Sequence, residues 1–183
     1  MSGRAARLMI DANVWVDNYC GWHSASSACQ YMFTVARLSD EIEMYYPVHV
    51  IKDVQYMVGL EYKQQAKIHE GALTESSALA AKKTALACIR NMNELAYAVG
   101  ADGSDVWLAD KYLSIHPDFE DNLVLAACKR IKADYLVTND RALIRNADVL
   151  AKTPAQMLEL MGLGKLETFD GLSPDEISWK FRP

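Results

Sequence analysis

Cysteine is scarce in this 183-residue chain. Cys20, Cys29, Cys88 and Cys128 stand far apart, with no Cys-x-x-Cys pair. Neither a zinc ribbon nor a dithiol redox motif is signalled, and reduced, partly buried thiols are expected rather than a disulfide framework. Long apolar runs are missing too: none approaches the roughly 20 residues that span a bilayer. The opening Met1-Ser2-Gly3-Arg4 leads into a strand-like run without a secretory apolar segment. A cytoplasmic protein with no membrane partner is the expectation. Positive charge is in deficit, with 19 Lys and Arg against 24 Asp and Glu, a net charge of −5. That balance argues against general coating of nucleic acid, because phosphate neutralisation takes Lys and Arg. A local basic face can still bind nucleic acid on an acidic chain. Walker-type glycine loops, His-Glu-x-x-His, internal repeats and low-complexity stretches are all lacking.

What is present is ordinary globular material, 51% hydrophobic and 23% charged, enough to bury a full core. Short apolar strands are expected over residues 7–11, 43–46, 96–99, 135–138 and 149–151. They alternate with helical stretches. Asn13 is a candidate cap for the first helix, and the second should begin within 24–27. Helical spacing covers 49–60. Residues 75–95 are rich in Ala, Leu, Lys and Glu, with Leu79, Leu86, Ile89 and Leu95 as the apolar stripe. Ser104 and Asp118 open two more helices, and Pro154 starts the last. This alternation predicts an α/β fold: a three-layer α/β/α sandwich around a mainly parallel sheet of about five strands. Residues 1–161 form the expected domain, with a helical elaboration around 71–95, and 162–183 a C-terminal extension.

In such a sheet ligands bind beyond the carboxyl ends of the strands. Asp11 follows the first strand and Asp140 the fourth. Asp53 lies in the helix after the second strand, and Asp121 in the first turn of the helix leading into the fourth. Each has an ordinary reading: Asp11 as a cap, Asp53 as a solvated side chain, Asp121 with Asp118 as a capping-box variant, Asp140 with Asn139 as a turn. Their joint placement is what points to chemistry. Four converging carboxylates repel one another unless divalent cations neutralise them, and all-oxygen ligands suit Mg²⁺ or Mn²⁺.

Four stretches carry a resemblance to a known family: Leu8-Met9-Ile10-Asp11-Ala12-Asn13-Val14-Trp15-Val16-Asp17, Val50-Ile51-Lys52-Asp53-Val54-Gln55-Tyr56, Asp118-Phe119-Glu120-Asp121-Asn122-Leu123 and Ala133-Asp134-Tyr135-Leu136-Val137-Thr138-Asn139-Asp140. In order and rough spacing they resemble the PIN-domain family, which includes the VapC-type toxin ribonucleases. The resemblance implies a metal-dependent endoribonuclease that hydrolyses RNA phosphodiester bonds with one or two Mg²⁺ or Mn²⁺ ions. Asp11, Asp53, Asp121 and Asp140 would be its metal-binding acids. Asn13 and Asp118 would support them, and Thr138 would hold a ligand through its hydroxyl. It also implies a toxin paired with an antitoxin protein, and a homodimer. The second acid is often Glu in the family, so the shorter Asp53 must sit closer to the metal.

For the RNA, candidate cations are Lys63, Lys67, Lys82, Lys83 and Arg90 on the middle helices and Lys129, Arg130 and Lys132 near the site, each also readable as a solvated helix face. Trp15, Trp22 and Tyr19 are candidates for base stacking, with core packing the alternative for Trp15. The dimer is expected on the helices within 27–60, where Tyr31, Met32, Met57 and Tyr62 supply apolar surface. Two other classes stay open: a non-catalytic PIN-like interaction module, and a phospho-receiver or phosphatase-like domain with Asp11 as nucleophile and Lys152 past its last strand.

Overall fold

The computed structural model describes residues 4–114 and 116–163. Strands β1 (Ala6–Ile10), β2 (Ile42–Pro47), β3 (Tyr97–Val99), β4 (Tyr135–Val137) and β5 (Ala151–Lys152) form one all-parallel sheet, ordered β3-β2-β1-β4-β5. Parallel neighbours need long crossovers, and helices supply them: α1 (Ala12–Tyr19), α2 (Ser26–Leu38), α3 (Val50–Glu70), α4 (Glu75–Leu95), α5 (Gly103–Tyr112), α6 (Phe119–Ile131), α7 (Arg141–Asn146) and α8 (Pro154–Leu160). The layout is a three-layer α/β/α fold of the expected class. β1 is its central strand, pairing Leu8 with Met44 on one side and Tyr135 on the other. Leu8, Met9 and Ile10 are fully buried, which is why this strand reads as an unbroken apolar run.

The chain winds outward from β1 to β2 and β3, then crosses back to β4 on the other side of β1. This reversal opens a crevice beyond the carboxyl ends of β1 and β4. Residues immediately after those strands, Asp11 and Thr138 to Asp140, therefore stand at its mouth. Among the described residues no helix is long and apolar enough to cross a membrane.

Several elements differ from expectation, each for a local reason. Asp11, not Asn13, caps α1, its carboxylate accepting from the Ala12 N–H. Asp102 caps α5 in a capping box with Asp105, ahead of the expected Ser104. α3 continues ten residues past Leu60, until Gly71 adopts a left-handed φ of 77° that ends it. On α4 the buried face is Ala81, Ala85, Cys88 and Met92, while Leu79 and Leu86 of the expected stripe are exposed. Small residues face inward because α4 packs closely on α3: a Cβ at Gly59 would meet the Ala85 Cβ at 3.8 Å. Trp15 is fully buried, 4.5 Å from the Phe33 ring and edge-on to Tyr46, so it belongs to the core and is not available to stack on bases. Tyr31 and Met32 are likewise buried within the chain and offer no surface to a second copy. Met57 remains exposed. Residues 164–183, nearly all of the expected C-terminal extension, lie outside the described residues.

Candidate active site

Asp11 is the best-held side chain at the crevice. It is buried, and its Oδ1 accepts from the Ala12 N–H at 2.7 Å. Its Oδ2 accepts from the Asn13 amide and the Thr138 hydroxyl, each at 2.6 Å. Thr138 is fully buried and shared: its oxygen also accepts from the Asn13 amide at 3.0 Å and from the Asp140 N–H at 3.0 Å. Asn13 closes the circle by accepting the Asn139 N–H on its Oδ1 at 2.9 Å. The ends of β1 and β4 are thus stitched together by side chains 125 or more residues apart in sequence.

A cavity of about 400 Å³ opens beside Asp11, with Asn13, His49, Asp53, Glu120 and Asp121 among its walls. Three acids of the expected set share this one space. Asp140 does not line it, but its charge is felt there, raising the carboxyl pKa of both Asp11 and Asp121. Burial pushes Asp11 upward, and the donors Thr138, Ala12 and Asn13 counter it. Asp121 is pushed up to about 6, first by burial and then by the charges of Asp11, Asp118 and Asp140, with His116 pulling the other way.

Local capping explains how α6 presents Asp121. Asp118 is the N-cap, accepting from the N–H groups of Glu120 at 2.8 Å and Asp121 at 3.2 Å. It is exposed and acts on the backbone of this turn. His116 is buried and accepts the Asp118 N–H on Nδ1 at 3.3 Å. A neutral ring then carries its hydrogen on Nε2, which faces Asp121 Oδ2 at 3.6 Å. Asp140 caps α7 in the same manner, its Oδ1 accepting from Ala142 and Leu143 N–H at 2.6 and 2.9 Å.

The donors on offer are carboxylate and hydroxyl oxygens, the chemistry that suits a hard divalent cation. The mutual repulsion that raises Asp121 is what such a cation relieves. On both counts the residues fit the metal that the sequence resemblance implies. Among the described residues no three His, Cys, Asp or Glu side chains already stand together as a metal site. Both oxygens of Asp11 and one of Asp140 accept hydrogen bonds from protein donors.

The basic residues divide. Lys82 lines a groove between α3 and α4 together with Lys52 and Lys63, and that groove shares Tyr56 with the acidic cavity. Lys83 and Arg90 are exposed on α4 and line neither. Lys129, Arg130 and Lys132 stand towards the far end of α6 from Asp121, about 12–17 Å along the helix axis at 1.5 Å per residue. Arg130 is bound to the buried Asp105 and the Gly100 carbonyl, and Lys129 to Asp148. Arg130 and Lys129 are structural ties rather than neighbours of the site. Sequence reasoning missed His116, Glu120 and Asn139. No spacing marks them: Glu120 reaches the cavity wall, His116 meets Asp121 and Asn139 meets Asn13 only in the fold.

A family model described as PIN domain matches residues 7–142. Among solved structures, the Rickettsia felis VapBC2 complex bound to a promoter DNA fragment is similar in fold, with a TM-score of 0.55 at 12% identity over 80% of this chain and 98% of that one. Mycobacterium tuberculosis VapC20, a toxin that cleaves the sarcin–ricin loop, aligns with a TM-score of 0.50 at 8% identity, covering 70% of this chain and 86% of the other. No curated protein matches the chain in sequence.

Proposed function

Because this chain belongs to the PIN-domain family, we propose that the cavity beside Asp11 is the active site of a metal-dependent endoribonuclease. The observation that carries the reading is that Asp11, Asp53 and Asp121, from three elements far apart in sequence, line one cavity at the carboxyl end of the sheet. Asp140 adds its charge from the end of β4. These four acids would hold one or two Mg²⁺ or Mn²⁺ ions. Bound there, the metal would supply activation of water and neutralisation of charge at the phosphate. Thr138 and Asn13 hold the Asp11 carboxylate in place. Asp118 fixes the turn that presents Asp121. The His116 ring stands beside Asp121, its Nε2 3.6 Å from Oδ2.

Lys152, which a phospho-receiver would need at the nucleophile, does not line this cavity. Both oxygens of Asp11 accept hydrogen bonds, an arrangement for a fixed ligand rather than an attacking group. As substrate we favour single-stranded RNA, whose backbone the groove of Lys52, Lys63 and Lys82 would follow. A toxin role with an antitoxin protein partner, in the cytoplasm and as a homodimer, is the extension of this reading.

Incubation of the purified chain with single-stranded RNA and Mg²⁺ or Mn²⁺ should give internal cuts that excess EDTA abolishes. Full cleavage in EDTA removes the metal mechanism. No cleavage of any RNA with either ion removes the ribonuclease.

A further inference from the structure

Asp17 lies in the last turn of α1, outside the acidic cavity, and nothing so far gives it work. Its side chain is only 16% exposed, and both of its oxygens are engaged. Oδ2 accepts from the Asn139 side-chain amide at 2.7 Å. Oδ1 lies 2.8 Å from His23 Nδ1. The other ring nitrogen of His23 meets Glu61 Oε2 at 3.3 Å, and the Trp22 indole N–H donates to that same oxygen at 3.2 Å.

These contacts join the elements that carry the acids. Asn139 sits between Thr138 and Asp140 in the turn after β4, and its N–H donates to Asn13 Oδ1 at 2.9 Å. Asn13 in turn donates to Asp11. Glu61 belongs to α3, the helix that also carries Asp53. One continuous run of polar contacts therefore passes from Asp11 through Asn13, Asn139, Asp17 and His23 to Glu61. It ties the end of β1, the end of β4 and α3 to one another behind the cavity. Asp17 is the hub, because a single carboxylate faces two partners at once.

We propose that Asp17 is a positioning residue: by gripping Asn139 and His23 it sets the relative placement of the three elements that carry Asp11, Asp140 and Asp53. The inference rests on the ribonuclease reading for its catalytic consequence, but its geometric content concerns cation affinity. Partners that orient a site's acids from behind are worth about 10–100-fold in metal affinity or activity. Asp17 does not touch the cavity, so the apparent affinity for RNA should be spared.

The test measures Mn²⁺ binding by electron paramagnetic resonance, and kcat and KM on a single-stranded oligoribonucleotide. The proteins are the wild type, Asp17→Ala, Asn139→Ala, the double variant and Asp17→Asn. Asp17→Ala should weaken Mn²⁺ binding and lower kcat by about tenfold or more, with KM for RNA unchanged within about twofold. Asn139→Ala should do the same, and the double variant should be no worse than either single one. Asp17→Asn, which keeps an acceptor for Asn139, should recover part of the loss. Ile42→Ala, which opens a cavity at the amino end of β2, the opposite end of the sheet from the acids, controls for lost stability and should leave Mn²⁺ affinity intact. Unaltered Mn²⁺ affinity in Asp17→Ala, additive losses in the double variant, or an equal loss in Ile42→Ala each overturn the proposal. A wild type that binds Mn²⁺ without cutting RNA ends the ribonuclease reading alone, since the affinities still decide the role of Asp17. A wild type that binds no Mn²⁺ ends both.

Discussion

Asp140 does two things that one substitution separates. Its Oδ1 caps α7, and its negative charge raises the carboxyl pKa of Asp11 and Asp121. Asn caps helices about as well as Asp, so Asp140→Asn keeps the cap and removes the charge. Cleavage should fall to background while the melting temperature stays level or rises, because like-charge repulsion at the cavity is relieved. A thermal melt beside a cleavage assay checks both halves. A large drop in melting temperature would mean that the charge is holding the fold. Asp121 is harder to treat in this way, since His116, Asp11, Asp118 and Asp140 all bear on it.

His23 couples α1 to α3 through Asp17 and Glu61. Burial works against its charged form, but the two carboxylates outweigh burial and hold its pKa above the ordinary value. A group raised on folding stabilises fully below its unfolded pKa, about 6.5 for His. That contribution is lost as pH rises through the folded value. Urea unfolding should therefore show stability declining over the pH range just above 6.5. His23→Gln should flatten that decline, by less than about 1 kcal/mol for a partly exposed pair. Between α3 and α4, Ala85 is buried and faces Gly59, so a larger side chain there must displace its neighbours. Ala85→Leu should cost about 1–3 kcal/mol by overpacking, measured as a shift in urea midpoint. These two helices also show where the sequence was legible and where it was not. The bounds of α4 were readable, because Thr74 and Ser77 form a capping box ahead of a run of good helix formers. Its buried face was not, because a helix that packs closely on a neighbour buries Ala81 and Ala85 and leaves Leu79 outside. The end of α3 was missed because residues 61–70 favour helix without an apolar stripe. The placement of Asp11 and Asp140 just beyond strand ends was legible from the strand pattern alone. His116 and Asn139 were not, since their work depends on the tautomer of a buried ring and on contacts spanning over a hundred residues.

At the scale of the whole molecule, the chain carries a net charge of −5 and gathers several acids where an RNA phosphate would have to approach. Attraction must come from a local surface, and the fold offers one next to the cavity. Lys52, Lys63 and Lys82 line the α3–α4 groove, which meets the acidic cavity at Tyr56. Tyr56 is 68% exposed and available to stack on a base where the two spaces join. Of the three cations first singled out on α4, only Lys82 faces this groove; Lys83 and Arg90 do not line it. The two sets should therefore separate in a binding experiment. Changing Lys52, Lys63 and Lys82 together to Glu should weaken binding of a single-stranded RNA at low salt. It should also reduce the slope of log affinity against log salt by about 2, the value for three lost phosphate contacts on a single strand. Changing Lys83 and Arg90 to Glu should leave the slope within about half a unit, because exposed cations outside the path are largely screened. Fluorescence anisotropy in EDTA reads binding without cleavage, and circular dichroism confirms that each variant is folded. If the second set lowers the slope as much as the first, the RNA crosses the outer face of α4 rather than the groove.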